Sequence, residues 1–147
     1  MTVRLSKRRR PLLLLLLAPV LFEVAACNPV MQADAVVRVN ETRAALGRPS
    51  LRITEELTAK AQALADRLAQ EGRLEHSTDL SSGIAQPYEL IGENEGYGAS
   101  VEQIHSLLTA SQEHFSIMID PRFTELGIGI AIATDGTVYE VQEYKAP

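Results

Sequence analysis

The sequence predicts an α+β domain with a small antiparallel sheet. Helical patterns dominate the first half of the chain, and a strand–turn–strand pattern closes it. Strands joined by a tight turn pair antiparallel, and the helices must bury their apolar faces against such a sheet. The length of 147 residues suits a single domain, and the apolar fraction of 46% is typical of a folded chain.

The first 27 residues have the pattern of an export signal. A basic segment precedes an apolar segment, residues 11–22, that is too short to span a bilayer comfortably. The segment Val24-Ala25-Ala26-Cys27 follows and resembles a bacterial lipobox, in which the cysteine is acylated. A plain secretory signal and an uncleaved anchor remain alternatives. The predicted division is a lipoprotein signal over residues 1–27, a tether over 28–32 and a domain over 33–147.

Charge argues against a nucleic-acid partner. Five of the 14 basic residues and one of the 19 acidic residues lie in the leader, which leaves a formal net charge of −9 on the rest. Such a chain repels phosphate backbones. The lone cysteine excludes an intrachain disulfide and a cysteine-rich zinc module. The expected partners are the membrane, through a lipid anchor, and a lipid or protein ligand. The expected location is the outer face of the cytoplasmic membrane or the periplasm.

Three stretches have helical patterns. The first covers residues 33–46 and stops at Gly47. The second starts with Thr54 as its N-cap, carries an apolar stripe at helical spacing and ends at Gly72. The third opens with a capping-box pattern at Ser100, and its apolar residues are expected to share one face. The stripe of the second helix consists of Leu57, Ala61, Leu64 and Leu68.

The strands are expected near the end of the chain. Residues 125–133 alternate as a strand, with Gly127 and Gly129 on a face that another element must approach closely. Asp135-Gly136 predicts a hairpin turn into a second strand over residues 137–144. The Ser- and Gly-rich residues 77–98 are expected to form a long loop with at most one short strand.

Several short motifs occur in a characteristic order along the body of the chain. They are Asn40-x-x-Arg43, His76-Ser77, Gly92-Glu93-Asn94, Ser111-x-x-His114, Pro121-x-Phe123 and Gly127-Ile128-Gly129. Together they resemble the CAP superfamily, or SCP-like extracellular domain, which includes cysteine-rich secretory proteins and venom allergens. The resemblance spans nearly the whole chain after the leader. It implies a three-layer α-β-α sandwich.

The resemblance also implies a site. In many members of that family a surface cavity gathers two histidines and two acids. By position, His76, Glu93 and His114 match three of the four, and Ser111 stands where the second acid often lies. The implied ligand cavity therefore comprises these four residues, with Leu108 in place of the family's tryptophan.

Three chemistries are open to such a cavity. His76, Glu93 and His114 are a ligand set for a divalent cation such as Zn or Mg, weakened by the missing acid. With Ser111 as nucleophile, the same residues would make a hydrolase. We favour a third interpretation, in which Glu93 fixes the surrounding loops by hydrogen bonds and the cavity binds a ligand without turnover. It requires no cofactor. Asn40 and Arg43 are expected to hydrogen-bond on the helix surface or to tie down the chain.

Overall fold

The computed structural model describes residues 28–147, in which helices lie on both faces of a four-stranded sheet. In chain order the elements are α1 Asn28–Ala45, β1 Arg52–Ile53, α2 Glu55–Glu71, β2 Leu90–Gly98, α3 Val101–Ala110, α4 Gln112–Met118, β3 Glu125–Ile132 and β4 Val138–Ala146. The predicted leader, including Cys27, lies outside the described residues. Within residues 28–147, no helix combines the length and the apolar character needed to cross a membrane.

The sheet has the strand order β1-β3-β4-β2. The pairs β3–β4 and β4–β2 are antiparallel, whereas the two-residue strand β1 runs parallel to β3. The predicted hairpin between β3 and β4 is confirmed, and Gly136 has the positive φ of 88° that its turn requires. The α+β class and the predicted sandwich are therefore confirmed, with β1 as a short parallel addition.

The two faces of β3 contact different helices. A Cβ atom added to Gly129 would lie 2.2 Å from the backbone of Ala61, so α2 packs directly on that face, as the sequence predicts. The opposite face of β3 contributes three completely buried side chains to the core shared with α1 and α3. Its buried side chains are Leu126, Ile128 and Ile130. This arrangement places α2 on one side of the sheet and α1, α3 and α4 on the other.

The predicted helix caps are also present. Thr54 accepts a hydrogen bond from the backbone of Leu57, and Gly72 ends α2 in a left-handed conformation with φ 67°. Ser100 accepts from the backbone of Gln103 at the start of α3. One detail of α3 differs from the prediction, since Leu107 is 56% exposed and does not share the buried face of the helix.

Two predicted irregular segments are regular in the structure. Helix α1 begins at Asn28, so the expected tether belongs to the helix. Strand β2 spans nine residues where a long loop was expected, and it pairs with β4 along its whole length. The local pattern concealed this strand because its buried positions include Glu93, Asn94 and Glu95, which are residues typical of loops.

Asn40 and Arg43 tie the end of the first helix to distant loops. Arg43 is completely buried and donates hydrogen bonds to four backbone carbonyls. The acceptors are Pro49, Met118, Asp120 and Phe123. Asn40 accepts a 2.8 Å hydrogen bond from the backbone of Leu51. The predicted tying role is present, but Arg43 performs it from the interior and not from the helix surface.

Candidate functional site

A buried carboxylate, Glu93, fixes the segment that follows α2. The side chain of His76 contacts Glu93 through Nδ1, which lies 2.8 Å from Oε1. The backbone N–H and the hydroxyl of Ser77 donate to Glu93 over 2.9 Å and 2.6 Å. Burial acts to raise the pKa of Glu93, but the hydrogen bonds from Ser77 and His76 overcome it and lower that pKa. Glu93 is therefore an ionised anchor for the His76-Ser77 segment.

A lysine and a second carboxyl group lie beneath this anchor. The ammonium group of Lys60, whose side chain is 7% exposed, contacts the carboxyl of Glu143 and lies 3.6 Å from Oε2 of Glu93. Glu143 is the register partner of Glu93 on β4. Burial raises the pKa of Glu143 to about 8, against the opposing effect of Lys60. Glu143 therefore holds its proton to a higher pH than an ordinary carboxyl group, whereas Glu93 loses its proton more readily.

Ser111 and His114 form a second pair. Ser111 lies between α3 and α4, and its Oγ is 2.8 Å from Nδ1 of His114. The backbone carbonyl of His114 accepts a 2.9 Å hydrogen bond from the side chain of Asn94, which ties α4 to β2. Among residues 28–147, no carboxylate lies within salt-bridge distance of the His114 ring. The four predicted cavity residues therefore form two pairs that line different cavities, and not the single shared cavity that was expected.

Glu95, which the sequence analysis did not select, lies between these pairs. Its Oε1 is 3.9 Å from Nε2 of His76, and the residue lines a cavity of about 390 Å³ together with Ser111 and His114. Burial raises the pKa of Glu95. Its signal in the sequence was the two-residue spacing from Glu93, which places both side chains on one face of a strand. That signal is informative only once β2 is known to be a strand.

Lys60 and Glu143 were missed for a different reason. Lys60 lies on α2 beside the predicted apolar stripe, and Glu143 lies on β4, so neither belongs to a motif near the histidines. No local sequence signal marks them, because their roles arise from contacts with Glu93 across the sheet.

The residues present fit a divalent cation poorly. In the described part of the chain, the group whose ligand atoms lie within 4.8 Å of one another is His76, Glu93 and Glu95, with Glu95 in place of the expected His114. Both oxygens of Glu93 already accept hydrogen bonds, and Lys60 supplies a positive charge beside it. This leaves His76 and Glu95 as available donors, fewer than the three protein ligands of a zinc site.

Comparison with known proteins identifies similar sequences and folds. Residues 36–144 match the profile of the cysteine-rich secretory protein family, CAP. No curated protein sequence matches the chain.

Several solved structures resemble this fold. An outer surface protein of Borrelia burgdorferi superposes with a TM-score of 0.70 at 18% identity, over 77% of this chain and 90% of that one. A cysteine-rich secretory protein of Staphylococcus aureus gives 0.67 at 21% identity, over 84% of this chain and 41% of that one. Venom allergen-like protein 4 of Schistosoma mansoni gives 0.63 at 15% identity, over 78% and 86%. At these identities the likeness concerns the fold alone.

Proposed function

The chain belongs to the cysteine-rich secretory protein (CAP) family, and from this premise we propose that it is an exported, membrane-anchored protein of the cell envelope. Its domain acts as a non-enzymatic binding module for a small apolar ligand or a protein partner. The proposed ligand site combines the pair His76 and Glu93 with the cavity that Ser111 and His114 line. It needs no metal ion.

Export and anchoring are supported by the leader and by the similar proteins. The basic and apolar segments of the leader end at Cys27, in a pattern typical of acylated bacterial proteins. The Borrelia structure is that of an outer surface protein, and the Staphylococcus structure is that of a secretory protein. A cell that makes this chain would therefore attach it to the outer face of the cytoplasmic membrane or hold it in the periplasm.

The binding role rests on one observation: both carboxylate oxygens of Glu93 already have hydrogen-bond partners within the protein. Its two carboxylate oxygens accept hydrogen bonds from His76 and Ser77, and Lys60 lies beside them. A general acid or base must exchange protons with a substrate, and its pKa must lie near the working pH. Glu93 has a lowered pKa and internal partners. It is therefore suited to holding the wall of a binding site in place and not to proton transfer.

A hydrolase is the alternative that a specific contact favours. The 2.8 Å contact between Ser111 and His114 is within the range of a nucleophile and its base. However, His114 has no acid to orient it within the described chain, and Glu93 is bound to the other histidine. Turnover of peptide or ester substrates that disappears in Ser111→Ala would establish the hydrolase in place of the binding module.

Native mass spectrometry of the full chain, extracted from its own membranes, tests the proposed function. We expect an acyl mass at Cys27 and a co-purifying ligand, with loss of the ligand in His114→Ala. Glu113→Gln is the matched control, because Glu113 is exposed beside His114. An unmodified Cys27 would contradict the anchor. A wild-type protein without any bound molecule, or a ligand retained by His114→Ala, would contradict binding in this cavity.

A further inference from the structure

Strand β2 leaves one backbone edge unpaired. It lies at the end of the strand order and pairs with β4 alone. In an antiparallel ladder, alternate residues direct both backbone groups to the same neighbour. At the hairpin, the backbone N–H of Ala133 donates to the carbonyl of Thr137, so Thr137 directs its backbone groups toward β3. By alternation, the odd-numbered residues of β4 form backbone hydrogen bonds with β3, and the even-numbered residues form them with β2. The register then directs the N–H and C=O groups of Glu95 and Tyr97 away from the sheet.

The open edge runs along an apolar groove. The cavity of about 390 Å³ follows Glu95 to Gly98 and has a size within the range of specific binding sites. Its rim carries three exposed apolar side chains: Leu74 at 37%, Tyr97 at 53% and Leu107 at 56%. Long open edges flanked by apolar side chains are normally blunted by charges, prolines or covering segments. Within residues 28–147, β2 forms no ladder with a second strand at this edge, and Tyr97 is exposed beside it.

Glu95 adds a charge preference to the groove. It is 4% exposed, and its Oε2 has no hydrogen-bond partner within the described residues. Leaving a buried polar atom without a partner is costly, so a bound donor would be stabilised there. On the neighbouring segment, Nε2 of His76 lies 3.9 Å from the other oxygen, Oε1. Since the chain after the leader is strongly acidic, a basic ligand is also favoured at long range.

We propose that the open edge of β2 binds an extended segment of a partner protein, which adds to the sheet as a fifth strand. The added strand carries a lysine or arginine opposite Glu95 and, two residues away, an apolar side chain against Tyr97. Strand addition supplies backbone hydrogen bonds for affinity, and alternate side chains supply specificity. The two-residue spacing follows because Glu95 and Tyr97 share one face of β2. The inference rests on the proposed binding role and identifies the partner as a peptide segment.

Fluorescence anisotropy with labelled, terminally blocked peptides and the full-length protein in detergent tests the proposal. The probe is a threonine-based peptide in which one lysine has a leucine two residues before it and another two residues after it, so that either strand direction is covered. We expect it to bind at least about tenfold more tightly than the same peptide with glutamate in place of lysine. In Glu95→Gln this preference should largely disappear. In Glu89→Gln it should persist, because Glu89 is exposed and precedes the groove.

Backbone methylation distinguishes strand addition from simple side-chain binding. N-methyl groups on one set of alternate peptide residues should abolish binding, and the same groups on the other set should be tolerated, because an added strand directs alternate N–H groups to the edge. Equal effects of the two sets, equal affinity of the lysine and glutamate peptides, or no binding at millimolar peptide would each overturn the proposal. Suppose that one of these results is obtained while native mass spectrometry still shows a ligand that is lost in His114→Ala. The proposed function would then stand, and strand addition alone would be wrong.

Discussion

Glu140 is a buried carboxyl group whose ionisation should oppose folding. It lies on β4 and is 1% exposed, on the face that also carries Gln142 and Tyr144. One carboxyl oxygen accepts a 2.6 Å hydrogen bond from Gln142, while the other has no partner among residues 28–147. Burial raises the pKa of Glu140 from 4.5 to about 7, with a smaller contribution from Asp34. The folded protein therefore holds a proton that the unfolded chain releases at lower pH.

The expected magnitude follows from the separation of these two pKa values. A pKa change from 4.5 to about 7 corresponds to about 3 kcal/mol of folding free energy. Solvent does not screen this effect, because the carboxyl group is deeply buried. Between these values the unfolded chain is deprotonated and the folded protein is protonated. The free energy of unfolding should therefore fall as the pH rises from 4.5 to 7, and this contribution should level off above 7.

Glu140→Gln removes the titrating group with little change of shape. We expect the variant to gain stability relative to the wild type as the pH rises, by about 3 kcal/mol at pH 8 compared with pH 4.5. Urea unfolding followed by far-ultraviolet circular dichroism measures this, since the chain contains no tryptophan. Glu143, whose pKa is also raised, points to the opposite face of β4 and is present in both proteins, so its contribution cancels.

Glu113→Gln serves as the control for this series, because Glu113 is exposed on α4. This variant accounts for the general effect of removing one negative charge. A constant difference between Glu140→Gln and the wild type from pH 4.5 to 8 would refute the reasoning. A loss of stability in Glu140→Gln that grew with pH would refute it more strongly, because the sign would be reversed.

Three further predictions follow from the packing and from the site. Arg43→Met removes the donor of four backbone carbonyls, of which those of Met118 and Phe123 are buried, and should lower the free energy of unfolding by on the order of 4 kcal/mol in urea titrations. A loss below about 1 kcal/mol would contradict the tying role. Gly129→Ala places a methyl group against the backbone of Ala61 and should cost about 3 kcal/mol or more; an unchanged unfolding midpoint would show that α2 can move aside. Millimolar Zn²⁺ should change the melting temperature of the wild type by no more than about 1 °C, but should raise that of Lys60→Met, in which Glu93 loses its basic neighbour. A rise of several degrees in the wild type would show that the site accepts a metal.

Local patterns were sufficient to predict the parts of the fold that depend on neighbouring residues. The cap at Thr54, the stop at Gly72 and the turn at Gly136 follow from the backbone preferences of single residues. The apolar stripe of α2 follows from helical spacing, and Gly127 and Gly129 indicated the face of β3 on which α2 packs. These features are local because a helix, a cap or a tight turn is stabilised mainly by residues within a few positions of one another.

Contacts across the sheet decided the candidate site, and no local pattern contains them. The segment of β2 was predicted as a loop with at most one short strand, because its buried carboxylates are atypical of strands, and pairing with β4 stabilises the full nine-residue strand. That pairing places Glu143 beside Glu93, and the packing of α2 brings Lys60 to both. Glu95 lies between His76 and His114 for the same reason. Residues so far apart in the chain meet only through strand register and layer packing, and these are properties of the whole fold.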